Sequence, residues 1–345
     1  MMWVTRPYKP RALLRILLVC LLLPLIIVIL PKQRNRGNCY VVSCKAFASP
    51  HIPELVSIPA TAPGFSLKHV VLGKSRVFDI YGCVLVGCFS TLSSVRSKEP
   101  TSYLHRRNPY YFFAIDPFLD VWVSRSLIEN GGTWEEPLND LFLDLLSKSD
   151  NSTCDIVMDV GSNLGAFALF AGAQGCTVWA FEMQPFVFTL LELSTRVNGY
   201  RDRFRLFNHP VWDATNMPVS FKTYEGNFGG TEAHSNPKPG DAVAYTIQIK
   251  DVFDMDSDIF FLKLDVEKAE FHALRGLGSV FTQRRVKHFV VELRRSHEEM
   301  VNWFYDIGYR CSLYNRKMSW TRLEILAIVE SIADGAYNDI YCTVA

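Results

Sequence analysis

Residues 156–170 read IVMDVGSNLGAFALF, an apolar run that ends in a glycine-containing turn and continues as a second apolar segment. The pattern predicts a buried strand over residues 155–160 and a helix over residues 165–172. Gly161 permits a tight turn, and Gly165 lets the start of the helix approach the sheet or a ligand closely. Because ligands bind at the carboxyl ends of strands in such sheets, this turn predicts a ligand pocket.

Short apolar runs and helical patterns alternate along the chain after residue 150. Further strands are predicted over residues 177–181, 204–211, 260–264 and 286–293, with helices over 186–197, 269–274 and 298–306. Such alternation is typical of a parallel sheet built from βαβ units. The C-terminal part of the chain does not follow this alternation, because residues 309–314 and 339–344 are predicted strands on either side of a helix near 322–332.

An acidic residue follows the second strand of this pattern. Glu182 lies 21 residues after Gly161, where a carboxylate can accept two hydrogen bonds from ribose hydroxyls. The glycine that a dinucleotide loop uses to approach a pyrophosphate is replaced by Asn163, which argues against NAD and is compatible with a ligand without phosphate. A purely structural turn with a solvated Glu182 is the alternative interpretation.

Composition excludes few classes of protein. The 345 residues include 36 basic and 35 acidic side chains, so nothing in the charge balance suggests a nucleic-acid partner. The nine cysteines include no Cys-x-x-Cys pair, and no metal site is predicted. Disulfides are plausible, but their pairing cannot be deduced from the spacing.

The N-terminal segment is strongly apolar. Residues 12–30 are almost all aliphatic, and residues 16–30 carry no charge. We expect an uncleaved transmembrane signal anchor, with a cleaved signal peptide as the alternative. The expected protein is therefore a single-pass, type II membrane protein of the endoplasmic reticulum or Golgi with its catalytic domain in the lumen. Residues 1–11 would form a cytoplasmic tail, 31–109 a stem and N-terminal extension, and 110–345 the catalytic domain.

Several ordered motifs carry a resemblance to a known family. They are residues 157–165 (VMDVGSNLG), 181–185 (FEMQP) and 262–270 (LKLDVEKAE), with supporting matches at 132–135 (GTWE), 208–213 and 227–231 (NFGGT). Together they resemble the FkbM-type methyltransferases over roughly residues 110–311. One departure stands out, because Lys268 occupies the position of a family glycine. If that position needs a positive φ, lysine costs about 1 kcal/mol or more.

The resemblance implies a fold and a reaction. The fold class expected is α/β, with a seven-stranded, mostly parallel methyltransferase sheet whose last strand is antiparallel, flanked by helices and preceded by the transmembrane helix and stem. The expected cofactor is S-adenosylmethionine, and the expected reaction is O-methylation of a hydroxyl on a small-molecule or glycan acceptor. A cofactor-binding pseudoenzyme that acts as a scaffold and an NAD-dependent oxidoreductase are the alternatives.

Position in the pattern assigns the candidate site residues. The cofactor-binding candidates are Asp159, Gly161, Asn163, Gly165, Glu182 and Asp213. Asp265 and Glu267 follow the strand over residues 260–264 at the rim where acceptors dock in related enzymes, and they are the catalytic candidates. One of them can act as a general base toward a hydroxyl, or both can hold a divalent cation, or both can be structural.

Overall fold

The computed structural model describes residues 110–115, 120–129, 134–149, 154–224, 226–237, 239–313, 320–334 and 336–344. It also describes the backbone of four short strands nearer the N-terminus: β1 (Cys39–Val41), β2 (Leu55–Val56), β3 (Val70–Val71) and β4 (Cys83–Cys88). β2 pairs with β3, and β4 pairs antiparallel with β1 and with β5 (Tyr110–Ile115). The β4–β5 pair spans the predicted domain boundary at residue 110, which stays a prediction.

A seven-stranded sheet forms the centre of the fold. Its strands are β6 (Ile156–Val160), β7 (Thr177–Phe181), β8 (Phe204–Phe207), β12 (Ile259–Leu264), β13 (Val286–Leu293), β14 (Tyr309–Leu313) and β15 (Asn338–Val344). They lie in the order β14-β15-β13-β12-β6-β7-β8. β15 pairs antiparallel with both of its neighbours, whereas the pairs from β13 to β8 are parallel. The predicted sheet with an antiparallel last strand is therefore confirmed.

Eight described helices accompany the strands. They are α1 (Val123–Glu129), α2 (Glu136–Lys148), α3 (Ala166–Ala173), α4 (Pro185–Val197), α5 (Glu270–Gly276), α6 (Ser279–Thr282), α7 (Glu298–Asp306) and α8 (Arg322–Ser331). Proline in the first turn of α2 and α4 fits the start of a helix, where backbone N–H groups have no partner within the helix. α8 begins with a capping box between Thr321 and Glu324. A small antiparallel sheet, β10-β9-β11, lies between β8 and β12 in sequence: β9 (Pro218–Phe221), β10 (Ala233–His234) and β11 (Ala242–Tyr245).

The core consists of two apolar clusters. The first joins β5, α2, α3 and α4, where Phe142 makes edge contacts with the rings of Phe167 and Phe261 at 5.5 and 5.4 Å. The second includes buried residues of α5, α6, α7 and α8. β5 belongs to the first cluster, and the backbone N–H of Phe113 donates to Ser194 Oγ on α4 at 2.9 Å. β5 is thus an integral part of the domain.

Two disulfides connect neighbouring strands of the main sheet. Cys154 and Cys176, just before β6 and β7, are bonded, and Cys311 on β14 is bonded to Cys342 on β15. Both bonds join residues far apart in sequence, which explains why spacing could not give their pairing. The first lies at the amino ends of its strands, at the opposite edge of the sheet from the glycine turn.

The transmembrane part of the predicted fold requires a correction. Among the described residues no helix is long and apolar enough to cross a membrane. The longest, α2 and α4, have 13 residues each, whereas a crossing needs about 20. This finding contradicts the predicted transmembrane element of the fold, and with it the single-pass type II localisation in the endoplasmic reticulum or Golgi. The predicted anchor itself, residues 12–30, lies outside the described residues.

Strand and helix bounds were otherwise close to prediction. One difference is the third strand of the pattern, which ends at Phe207 and not at residue 211. Asn208 turns the chain there, because its side-chain amide donates to the carbonyl oxygens of Glu182 and Met183 at 2.8 and 3.1 Å.

Candidate functional site

A cavity of about 480 Å³ lies at the carboxyl ends of β6, β7, β12 and β13. This volume falls within the range of small-molecule sites. The glycine turn after β6, the residues after β7 and β12, and the segment around Asn227 contribute to its wall. The cavity therefore occupies the position that the sequence predicts for a ligand pocket.

The glycine turn is wedged between two neighbouring strands. The backbone N–H groups of Gly161 and Ser162 both donate to the carbonyl oxygen of Phe181 at 2.9 Å. Gly161 has φ 83°, and a β-carbon on it would lie 1.7 Å from the backbone oxygen of Asp265. Gly165, also at φ 83°, precedes α3. Both predicted glycines thus have a conformation that other residues adopt only at a cost, and Gly161 also has no room for a side chain.

Asn163 and Glu182 hold each other in place. Asn163 adopts a left-handed conformation, φ 51°, which asparagine tolerates better than most residues. Its backbone N–H donates to Glu182 Oε2 at 2.9 Å, and the N–H of Gln184 donates to Glu182 Oε1 at 2.8 Å. Burial raises the pKa of Glu182 to about 7, although these two hydrogen bonds oppose the rise. A carboxylate accepts about four hydrogen bonds, so Glu182 retains capacity for a ligand's hydroxyls.

Asp159 lies beneath the glycine turn and is fully buried. Its Oδ2 accepts a hydrogen bond from the backbone N–H of Ala168 at 3.0 Å, which fixes the start of α3. Its Oδ1 is buried without a hydrogen-bond partner in the described structure. Burial raises the pKa of Asp159 to about 6, opposed by the charge of Lys263. One oxygen is thus structural and the other is available to a cationic or hydrogen-bonding ligand group.

Asp213 lies outside the cavity lining. Neither Asp213 nor Gly165 is among the residues that line the cavity, whereas the four residues before Asp213 are. Its Oδ2 lies 2.9 Å from Nδ1 of His272, whose ring stacks on Trp212 with a centroid distance of 4.3 Å. The assignment of Asp213 to cofactor binding stays a prediction, and the residues of this segment that line the cavity are His209, Pro210, Val211 and Trp212.

Asp265 follows β12 and pairs with a buried lysine. Lys263 Nζ lies 2.9 Å from Asp265 Oδ2 and 3.7 Å from Glu135 Oε2. Burial alone would lower the pKa of Lys263, but these carboxylates together with Asp159 raise it, so the ammonium stays charged. Glu135 is the last residue of the supporting motif at residues 132–135. Its Oε2 is buried without a hydrogen-bond partner in the described structure.

Glu267 belongs to a second charged group at the rim. Arg294 Nη2 donates to Glu267 Oε2 at 2.9 Å and to Glu292 Oε2 at 2.6 Å. Burial, followed by the charge of Asp265, raises the pKa of Glu267 to about 7 and that of Glu292 to about 9. Glu292 is therefore largely protonated at neutral pH, whereas Glu267 titrates there. The sequence carries no signal for Arg294, since it lies 27 residues beyond Glu267.

No described group of three or more His, Cys, Asp or Glu side chains could hold a metal ion. Asp265 and Glu267 instead each pair with a different base.

Lys268 adopts a left-handed backbone conformation, which the sequence alone could not establish. Its φ is 78°, directly after Glu267 at φ 50°. Its Nζ lies 2.6 Å from Oε1 of Glu232, which belongs to the segment after Asn227. Gln184 Nε2 donates to the carbonyl oxygen of Phe228 at 2.9 Å and holds the same segment against the loop after β7. The segment thus forms a wall of the cavity that is joined to both neighbouring loops.

One protein-family model matches part of the chain. Residues 159–311 match the model of the methyltransferase FkbM domain. No curated protein matches the chain. The match to the family model covers the glycine turn, Glu182, Asp265, Glu267 and the wall around Asn227.

The solved structures that match include methyltransferases of low sequence identity. A structure titled human methyltransferase 10 domain containing protein is 12% identical in sequence, with a TM-score of 0.32. The match covers 61% of this chain and 83% of that protein's chain. A putative tRNA methyltransferase of Streptococcus pneumoniae is 10% identical, with 59% and 69% covered and a TM-score of 0.33. A tRNA methyltransferase of M. jannaschii is 11% identical, with 70% and 53% covered and a TM-score of 0.35. These similarities bear on neither the acceptor nor the reaction of this chain. Residues 159–311 therefore form a methyltransferase domain, for which the cofactor is S-adenosylmethionine.

Proposed function

We propose that this methyltransferase transfers the methyl group to a hydroxyl oxygen of a small-molecule or glycan acceptor, with Glu267 as the general base. The observation that carries the proposal is the position of Glu267. It lines the same cavity as the glycine turn, and its pKa of about 7 suits proton removal at neutral pH. A base of this kind is needed by a hydroxyl acceptor, whose oxygen loses its proton as it is methylated.

The cofactor side of the cavity fits S-adenosylmethionine. Glu182 has free capacity for ribose hydroxyls, and Asp159 Oδ1 is a buried acceptor without a partner among the described residues. The lack of space at Gly161 keeps the turn in close contact with β12. When bound, the cofactor would supply an electrophilic methyl group on a positively charged sulfur, which would leave with the bonding electrons as the acceptor oxygen takes the methyl group.

The chain's own residues handle the proton. Glu267 accepts it from the acceptor hydroxyl, and Arg294 stabilises the carboxylate form of Glu267 before transfer. Asp265, held by Lys263, orients the acceptor by hydrogen bonding, and the backbone around Gly161 fixes its position relative to the turn.

The test combines binding and turnover. Calorimetry with S-adenosylhomocysteine should show binding that Glu182→Gln weakens about tenfold or more, because hydrogen bonds to a charged group are lost. Glu299→Gln is the control, since Glu299 is exposed on α7. Tight binding of NAD in place of S-adenosylhomocysteine would refute the cofactor assignment.

Transfer of a labelled methyl group to hydroxyl acceptors tests the reaction. The rate should rise with pH through about 7 as Glu267 loses its proton. Glu267→Gln should lower kcat about a hundredfold or more, with little change in cofactor affinity. Cofactor binding without transfer to any acceptor would instead favour a scaffold. An unchanged kcat in Glu267→Gln would remove Glu267 as the base.

A further inference from the structure

Two buried side chains lie behind the turn that carries Glu267. Glu270, in the first turn of α5, has no exposed side-chain surface, and the side chain of His297, directly before α7, is 8% exposed. Neither is among the described residues that line the cavity. A carboxylate is rarely buried completely unless it is paired or hydrogen-bonded, and the contacts of both side chains lead to Glu267.

Glu270 holds the backbone of this turn. Its Oε1 accepts a hydrogen bond from the backbone N–H of Lys268 at 3.1 Å. Lys268 directly follows Glu267, and both residues have a positive φ, at 78° and 50°. Residues other than glycine keep such a conformation only where their surroundings fix it. The hydrogen bond to Glu270 therefore helps to fix the direction in which the side chain of Glu267 leaves the backbone.

His297 holds the arginine that binds the carboxylate of Glu267. The Nδ1 of His297 accepts a hydrogen bond from the backbone N–H of Arg294 at 3.1 Å, and its own backbone N–H donates to the carbonyl oxygen of Arg294 at 3.0 Å. Arg294 Nη2 in turn donates to Glu267 Oε2 at 2.9 Å. Burial lowers the pKa of His297 to about 4, so the ring is neutral and Nδ1 can accept. His297 thus fixes the position from which Arg294 reaches Glu267.

The two buried side chains also face each other. Nε2 of His297 lies 3.7 Å from Oε2 of Glu270, an oxygen that is buried without a hydrogen-bond partner in the described structure. Because Nδ1 accepts, the proton of the neutral ring is on Nε2. The distance exceeds that of a hydrogen bond, but it brings the N–H of the ring next to a buried acceptor. The pair thereby connects the turn after β12 with the turn after β13.

We propose that Glu270 and His297 are positioning residues for Glu267, which they hold toward the acceptor hydroxyl. The inference rests on the proposed function, in which Glu267 is the general base. Glu270 fixes the backbone next to Glu267, and His297 fixes Arg294, which binds its carboxylate. A general base must lie within hydrogen-bond reach of the proton that it removes, so a small displacement of Glu267 lowers the rate. Binding of the cofactor does not require either positioning residue, because neither lines the cavity.

Disruptive and conservative variants separate positioning from packing. Glu270→Ala removes the acceptor for the N–H of Lys268, whereas Glu270→Gln retains an oxygen for it. His297→Ala removes the acceptor for the N–H of Arg294, whereas the side-chain oxygen in His297→Asn can take the place of Nδ1. Each alanine variant should lower kcat for methyl transfer to a hydroxyl acceptor about tenfold or more, and the conservative variants should recover most of this loss.

Two further measurements show that the loss is confined to the chemical step. KM for the acceptor and the affinity for S-adenosylhomocysteine should stay within about twofold of the unaltered protein, because the lost interaction acts in the transition state. Glu298→Ala is the matched control, since Glu298 also lies in the first turn of a helix but is exposed, and it should leave kcat unchanged. If an alanine variant does not fold, Glu270→Asp and His297→Gln replace it, because each keeps a polar group but moves it by one methylene group.

A double-mutant cycle with Glu267 decides whether the two residues act through it. In protein that already carries Glu267→Gln, Glu270→Ala and His297→Ala should each lower kcat by less than about twofold more, because the group that they position is gone. A full further loss in that background, or an unchanged kcat in both alanine variants alone, would overturn this inference and leave Glu267 as the base. Absence of methyl transfer, or an unchanged kcat in Glu267→Gln alone, would instead overturn the proposed function, and this inference with it.

Discussion

Replacing Gly161 by alanine is the sharpest perturbation of the site. The new β-carbon would lie 1.7 Å from the backbone oxygen of Asp265, whereas real contacts of this kind are not shorter than 3.0 Å. The glycine turn and the end of β12 must therefore separate by roughly 1.3 Å or more. Backbone cannot rotate away as a flexible side chain can, so the shift displaces both the cofactor turn and the catalytic candidates.

The loss of folding stability expected for Gly161→Ala has two parts. A left-handed conformation costs a residue other than glycine about 1–2 kcal/mol. Forcing extra atoms into a packed site costs about 1–3 kcal/mol more. Gly161→Ala should therefore destabilise the protein by about 2–5 kcal/mol, which leaves a typical domain folded at room temperature.

Gly175→Ala is the matched control. Gly175 also has a positive φ, 97°, but a β-carbon there would meet nothing within 4 Å. It should cost only the conformational part, about 1–2 kcal/mol. Urea unfolding measures both changes, and calorimetry with S-adenosylhomocysteine should show at least about tenfold weaker binding for Gly161→Ala alone. Equal stabilities and equal affinities for the two variants would refute the contact between the turn and β12.

Three further predictions concern stability. The Lys268→Gly variant should have a free energy of unfolding about 1 kcal/mol higher than Lys268→Ala. At Asp144, in the middle of α2, the alanine variant should instead be the more stable of the two. Urea unfolding that gives the same order at both sites would contradict the strain at Lys268. Replacing Cys154 and Cys176 by serine should cost about 3 kcal/mol, because the bond closes a loop with a separation of 22 residues, without changing cofactor affinity. Ligand-free protein should gain stability in thermal melts as the pH falls from about 8 to 6.5, because carboxylates with raised pKa bind protons more readily in the folded state. His288 and His297, whose pKa values are lowered to about 4, oppose this gain below about pH 6.5. A melting temperature that falls between about pH 8 and 6.5 would contradict the raised pKa values of the carboxylates. These carboxylates are Asp159, Glu182, Glu267, Glu270 and Glu292.

Local sequence was sufficient where neighbours along the chain determine the structure. The apolar run before Gly161 and the helix after Gly165 were both predictable, because a buried strand and a helix start have distinct local patterns. The fold prediction was wrong in its transmembrane element, which no described helix supports.

Contacts between distant segments were not predictable. The pairing of Asp213 with His272 joins residues 59 positions apart, and Asp213 is not among the residues that line the cavity. Arg294 and Tyr337 reach the site only because β13 and β15 are neighbours in the sheet. Their charge and exposure depend on that pairing, and neither residue stands in a motif that sequence alone makes visible.

The turn after β12 connects strain to chemistry. Glu267 and Lys268 both have positive φ, at 50° and 78°, although neither is glycine. Strain of this kind persists only where the surroundings fix it, and here two ion pairs do so: Glu267 with Arg294, and Lys268 with Glu232. The lysine therefore takes the conformation for which glycine is favoured, and it adds a contact to the cavity wall that glycine cannot make. Under the proposed function, Lys268 thus changes the acceptor side of the cavity, whereas Asp159, Gly161 and Glu182 lie on the cofactor side and take no part in this contact.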